Sequence, residues 1–217
     1  MSYRIAIFDL DGTILNTIED LTDSVNYALE KNGMPNRLLS EVQRFVGNGI
    51  RRLIEQAVVP AATKAQIEQV FADFKEYYGE NCARKTRPYD GIGEVIQTLR
   101  DRGVITAVVS NKADFAVQTL CADYFPGMFD LAVGEKEGIR RKPAPDSVNA
   151  VLTQFHAKKE EAVYIGDSEV DIKTAENAEM DVISVTWGFR TEEYLKSEGG
   201  TVFAHRPEEL LGMILAL

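Results

Sequence analysis

Short apolar runs alternate with longer amphipathic stretches along most of the chain. Runs rich in Val, Ile, Phe and Tyr at residues 4–8, 104–109, 131–133, 162–165 and 182–186 read as strands, with a weaker one at 201–204. Between them apolar positions recur at helical spacing, as in Ile92, Val95, Ile96 and Leu99, a run that stops before Gly103. Alternation of this kind predicts an α/β fold, a Rossmann-like parallel sheet covered by helices.

One block breaks the alternation. From Asn16 to Cys82 only helical periodicity is visible: Ile18, Leu21, Val25, Ala28 and Leu29 share a face that ends at Gly33. Val42, Phe45 and Val46 begin a second helix. Ile50, Leu53, Ile54, Ala57 and Val58 resume after Gly47-Asn48-Gly49, and Ile67, Val70, Phe71 and Phe74 form a further one. Residues 16–82 are therefore expected to form a helical cap inserted into a core of residues 1–15 and 83–217. Phe71, Phe74, Tyr77 and Tyr78 read as packing inside that cap.

Composition narrows the function. The 217 residues are 45% hydrophobic and 27% charged, ordinary values for a chain with a real core. A formal net charge of −10 argues against a nucleic-acid surface, which needs clustered Lys and Arg, yet leaves room for a basic pocket holding a small anion. Cys82 and Cys121 have no metal-type spacing, and reduced thiols in a cytoplasmic protein are the expectation. No apolar run is long enough to span a bilayer, and no signal segment is visible, so no membrane partner is expected; a monomer or homodimer is. His156 and His205 show no ligand pattern. Catalysis would rest on carboxylates.

Those carboxylates sit at strand ends. Asp9-Leu10-Asp11-Gly12-Thr13 follows the first strand, Ser110-Asn111-Lys112 the second, and Gly166-Asp167-Ser168-Glu169-Val170-Asp171 the fourth, while Lys142-Pro143 lies in the loop after the third. In open parallel sheets ligands bind beyond the carboxyl ends of the strands, so all four clusters should meet on one rim. Asp9, Asp11, Asp167 and Asp171 would then repel, by about 4 kcal/mol for a pair about 4 Å apart at an effective dielectric near 20. An oxygen-only cluster of this kind suits Mg²⁺. Asp9 is the candidate nucleophile and Asp11 the candidate acid and base; Gly12, Ser110, Asn111 and Lys142 are the candidate phosphate-binding residues.

The run Asp9–Thr13 resembles the DxDGT signature of the haloacid dehalogenase-like hydrolase superfamily, and the other three clusters match its remaining motifs in order. The resemblance covers essentially the whole chain. It implies that Asp9 is nucleophile and metal ligand, that Asp11 is acid and base and meets Mg²⁺ through its backbone carbonyl, that Asp167 ligates the metal with Asp171 in support, and that Ser110 and Lys142 hold the phosphoryl group. Dehalogenases lack an acid at the position of Asp11, and phosphonatases place a lysine where Arg51 and Arg52 stand. The break Val46-Gly47-Asn48-Gly49 and the run Val185-Thr186-Trp187-Gly188 are similar to those of phosphoglycolate phosphatases, with one departure, Glu179, where many relatives have glycine. Trp187 itself reads as a packing residue.

The expected function is a Mg²⁺-dependent phosphatase acting on a small phosphorylated metabolite, with 2-phosphoglycolate as the named candidate. A sugar phosphomutase or pyrophosphatase on the same scaffold is the alternative, and a non-catalytic receiver-like phospho-acceptor module a more distant one. Asn48 and Arg51, with Arg52 as the other candidate, are where the cap would meet a substrate carboxylate.

Overall fold

The computed structural model describes residues 2–216. Asn16–Arg87 forms one compact unit and the rest of the chain the other. In chain order β1 is Ile5–Phe8, β2 Leu15–Asn16, α1 Ile18–Lys31, α2 Leu39–Phe45, α3 Gly49–Ala57, α4 Lys64–Asn81 and β3 Arg87–Pro88. Then come α5 Ile92–Asp101, β4 Ile105–Ala113, α6 Asp114–Tyr124, β5 Leu131–Glu135, α7 Asp146–Gln154, β6 Ala162–Gly166, α8 Glu169–Ala178, β7 Asp181–Val185, α9 Glu192–Ser197, β8 Phe203–Ala204 and α10 Glu209–Leu215. The two-residue strands β2 and β3 pair with each other, and the sequence pattern had not marked either.

The other six strands form a single sheet in the order β5-β4-β1-β6-β7-β8, and every pairing is parallel. From β1 the chain winds outward through β4 and β5, then returns to the far side of β1 and winds through β6, β7 and β8. The direction of winding therefore reverses at β1, which opens a crevice at its carboxyl end. Successive side chains point to opposite faces. Ile5 and Ile7 of β1, Ala107 and Val109 of β4, and Ala162 and Tyr164 of β6 accordingly share one buried cluster with Val148, Val151 and Leu152 of α7 and Ala175 and Ala178 of α8. Phe8 points the other way, edge-on to Phe129 at 6.3 Å. Burial on both faces explains why the strands read as continuous apolar runs.

The helical unit has its own core, with Val25, Leu29, Val42, Ile54, Val70 and Phe74 fully buried. Phe74 and Tyr78 stack at 5.2 Å in that core as expected, whereas Tyr77 stacks at 4.0 Å on the exposed Tyr27 and Phe71 is half-buried under Arg51 and Lys75. Thr63 caps α4 reciprocally with Gln66, a box of side-chain and backbone bonds that fixes where the helix begins. Residues 83–87 go with the helices, although the apolar pattern had grouped them with the sheet. The buried Asp20 of α1 accepts from Lys85 N (2.9 Å) and Thr86 N (2.7 Å), tying the segment down.

Glu179 ends α8 in the left-handed region, φ 54° and ψ 45°, with Met180 N returning to Ala175 O at 2.9 Å. A glycine would adopt this backbone without steric cost, and the acidic side chain also opposes the helix dipole at a carboxyl end. Glu179 gains an exposed ion pair with Lys159 in return, worth little in water. Glu179→Gly is expected to raise unfolding stability by about 0.5–1 kcal/mol, readable as a higher urea midpoint at unchanged slope.

Candidate active site

The loop after β1 is built tightly. Asp9 N donates to Ile165 O at 2.8 Å, and Leu10 O accepts from Thr13, Ile14 and Leu15 N at 3.3, 3.1 and 3.0 Å. Gly12 sits between the two acids at φ +83°, and a Cβ there would lie 2.2 Å from Asp167 Oδ2. A Cβ at Gly188 would come within 2.3 Å of Asp167 Cβ, and one at Gly166 within 2.3 Å of Asp171 Cβ. Gly12 and Gly188 thus make room for Asp167, and Gly166 at the end of β6 makes room for Asp171 of α8. The role of Gly188 is legible only in three dimensions, because its contact is with a residue on another strand.

Asp9, Asp167 and Asp171, all buried, each place a carboxylate oxygen so that the three lie within 4.8 Å of one another. Burial, with Asp171 and Asp11 adding repulsion, pushes Asp9 up to about 7 despite the nearby Lys142 ammonium. Burial and the charges of Asp171 and Asp9 push Asp167 well above the carboxylate range. Asp9 Oδ1 is buried without a hydrogen-bond partner: Lys142 Nζ lies 3.0 Å away, close enough for ion pairing but poorly aligned for a hydrogen bond. Hard oxygen donors, mutual repulsion and an orphaned acceptor fit a divalent cation such as Mg²⁺.

The three acids are not equivalent. Asp171 Oδ1 accepts from Lys142 Nζ (2.7 Å), and its Oδ2 accepts from Ser168 N (3.1 Å) and Ser168 Oγ (2.6 Å), capping α8. Asp167 is oriented by Phe189 N at 2.6 Å and by Thr13 Oγ1 at 3.4 Å. Among the described residues the trio does not include the Asp11 carboxylate, which pairs with Lys112 Nζ at 2.8 and 3.2 Å.

Lys142 is 3% exposed, and its Nζ lies 2.9 Å from Tyr164 Oη as well as next to Asp9 and Asp171. Burial alone would favour the neutral amine, but the Asp171 and Asp9 carboxylates together hold Lys142 well above its ordinary value. Tyr164, kept protonated chiefly by burial, donates to Val109 O at 2.9 Å. The Lys142–Pro143 peptide is cis. Asn111 brackets the Lys142 backbone, donating to its carbonyl at 3.0 Å and accepting from its N–H at 2.8 Å. The Asn111 amide, a candidate for the phosphate, thus places Lys142. Ser110 is buried, with Lys112 N donating to its Oγ at 3.3 Å.

Ser110, Asn111 and Lys112 belong to the irregular end of β4, where the register against β5 shifts between Val109 and Ala113. Sequence reading passed over Tyr164, which looks like one more apolar strand residue, and over the pairing of Lys112 with Asp11. Trp187 donates from Nε1 to Thr13 O at 3.0 Å, bracing the first loop as a packing residue would.

In the helical unit Asn48 precedes α3 without capping it through its side chain. Arg51 is engaged by both oxygens of Glu68, at 2.8 and 2.9 Å, and lies 4.6 Å from the Phe71 ring centroid. Arg52 pairs with Glu55 at 3.3 Å.

The site thus gathers a buried carboxylate at the sheet's switch point, a second acid two residues on, a buried ammonium and a trio of acids that fits a divalent cation. The family model described as haloacid dehalogenase-like hydrolase matches residues 6–185, and the chain belongs to that family. It is 32% identical to a phosphoglycolate phosphatase of Haemophilus influenzae across 86% of this chain and 87% of that one. It is 30% identical to a phosphoglycolate phosphatase of Mesorhizobium japonicum across 94% and 92%. A crystal structure of a candidate phosphoglycolate phosphatase from Lactobacillus delbrueckii subsp. bulgaricus superposes over the full length of both chains with a TM-score of 0.95 at 41% identity. The protein is a phosphatase of this family, a phosphoric monoester hydrolase similar to phosphoglycolate phosphatases. No described helix is long and apolar enough to cross a membrane.

The raised values make metal binding pH-dependent. Without a cation the folded state keeps protons on Asp9 that the unfolded chain, with an ordinary carboxyl, has released, so stability contributed by this group falls as pH rises from about 4 to about 7. Mg²⁺ competes with those protons. The rise in melting temperature on adding Mg²⁺ is expected to be largest above pH 7 and to shrink steadily below it; an increment independent of pH would contradict the assignment of the trio as the metal site.

Proposed function

We propose that the substrate is a small phosphomonoester carrying a carboxylate, with 2-phosphoglycolate as the candidate, hydrolysed through an aspartyl-phosphate on Asp9. The observation that carries this reading is Asp9 itself: a buried carboxylate at the sheet's switch point, 3.0 Å from a buried ammonium and followed two residues later by a second acid outside the trio. Relatives named as phosphoglycolate phosphatases support the choice of substrate.

Asp9 attacks phosphorus, and the ester P–O bond breaks with its electron pair passing to the leaving oxygen, which takes a proton from the Asp11 carboxylic acid. Water then attacks the phosphorus of the aspartyl-phosphate and gives a proton to Asp11 as the P–O bond to Asp9 breaks, restoring both groups. Lys142 offsets charge on Asp9 and on the transferring group, and Asn111 fixes Lys142. Ser110 Oγ and the backbone at Gly12 hold phosphoryl oxygens. Asp9 and Asp167, with the Asp11 backbone carbonyl and with Asp171 in support, would hold Mg²⁺, which would neutralise phosphate charge.

Asp9→Asn should leave the fold intact and drop turnover below detection, while Asp11→Asn should lower kcat by about 10²–10⁴. A panel of phosphorylated metabolites with Mg²⁺, scored by kcat/KM and phosphate release, tests the substrate. Isomer formation without phosphate release would favour a phosphomutase, hydrolysis of pyrophosphate over esters a pyrophosphatase, and stable phosphorylation without turnover a receiver-like module.

Arg51 is the candidate for the substrate carboxylate, with Asn48 beside it in sequence. Its fork already grips one carboxylate, that of Glu68, in the bidentate form such a role requires. Arg51→Ala is expected to raise KM for 2-phosphoglycolate about tenfold or more with little change for an uncharged phosphomonoester. Wild-type kinetics in Arg51→Ala and Arg52→Ala alike would remove both arginines from the site.

A further inference from the structure

We propose that Lys112 is a positioning residue for Asp11, fixing the orientation of its carboxyl group for the proton transfer to the leaving group. The inference rests on the reading of Asp11 as acid and base. The Lys112 side chain is 1% exposed and the Asp11 side chain 13%, so the pair lies largely out of solvent, where ion pairs are strongly oriented. The two contacts differ: Lys112 Nζ is 2.8 Å from Oδ1 and 3.2 Å from Oδ2. Both oxygens lie within reach of the ammonium, the nearer being Oδ1, so the contact fixes the plane and direction of the Asp11 carboxyl group.

Both ends of the pair are fixed by backbone structure. The Asp11 loop is closed by the three bonds to Leu10 O and by Gly12 N donating to Leu15 O at 2.9 Å, so the carboxylate moves only by side-chain rotation. The Lys112 N–H is held by Ser110 Oγ within the bulged end of β4. Lys142 cannot substitute, because its ammonium is engaged by Asp171, Tyr164 and Asp9. The two lysines of the rim therefore serve different carboxylates, and Lys112 acts on the reaction through Asp11.

A residue acting through the general acid shows itself in leaving-group dependence. An alkoxide must be protonated as it leaves, whereas p-nitrophenolate leaves without help. Single-turnover release of glycolate from 2-phosphoglycolate and of p-nitrophenol from p-nitrophenyl phosphate, each with Mg²⁺, separates the two demands. In Lys112→Met and Lys112→Gln we expect glycolate release to slow by about 10- to 100-fold, p-nitrophenol release to stay within about threefold, and Lys112→Arg to recover most of the glycolate rate. Equal slowing on both esters marks a structural role and overturns the proposal, as does no slowing on either. If one neutral variant fails to fold, the other and Lys112→Arg still give the ratio. Wild-type protein that releases neither alcohol, or an Asp9→Asn variant that still releases both, refutes the functional reading instead, so the two failures are told apart.

Discussion

The site depends on an imbalance of buried charge. Asp9, Asp167 and Asp171 converge within 4.8 Å with Lys142 as the ammonium among them, while Asp11 is matched by Lys112 outside the trio. With all groups ionised, three carboxylates against one ammonium leave two negative charges unmatched, the charge a divalent cation supplies. Without the cation the remaining outlet is protonation, and both Asp9 and Asp167 are displaced upward in that direction. Both Asp171 oxygens have donors within the protein, from Lys142 and Ser168. The site is thus arranged around a positive charge that the polypeptide does not itself carry.

Such an arrangement is tolerable only where the backbone is rigid. Parallel strands buried on both faces carry Asp9 and Asp167 to adjacent positions, since Phe8 is in register with Ile165. Glycine at 12, 166 and 188 removes the side chains that would otherwise keep the acids apart. Asn111 then locks the segment bearing Lys142 to the end of β4 across a separation of 31 residues. A polar residue spent on positioning another polar residue is what allows a buried ammonium to stand where a transferring phosphoryl group would need it.

Much of this was legible in the sequence, and the boundary of legibility is physical. Six strands and the inserted helices follow from apolar periodicity, which reports burial directly, and each strand fell within a few residues of its expected place. The acids were legible because carboxylates at the ends of apolar strands are costly without a purpose. What the pattern could not show was pairing. Tyr164 reads as one more apolar strand residue until its hydroxyl is found between Lys142 and Val109 O. Asn111 and Lys112 stand next to Ser110 and invite the same role, yet a bulge turns one to the Lys142 backbone and the other to Asp11. Residues 83–87 were grouped with the sheet because nothing local reveals that Asp20, more than sixty positions earlier, collects their N–H groups.

Asp9 and Asp11 are the same residue type two positions apart, so intrinsic chemistry cannot give them different jobs. Environment does. Asp9 is buried beside two like charges with Lys142 Nζ 3.0 Å from one oxygen, a setting that supports the proposed nucleophile. Asp11 is less deeply buried than Asp9 and faces Lys112, a setting that supports the proposed acid and base. The tight turn at Gly12 and the closure on Leu10 O produce that divergence, because they let consecutive acids of one short loop point into different surroundings. A two-residue spacing thereby sets two identical side chains beside different ammonium groups, Asp9 beside Lys142 and Asp11 beside Lys112.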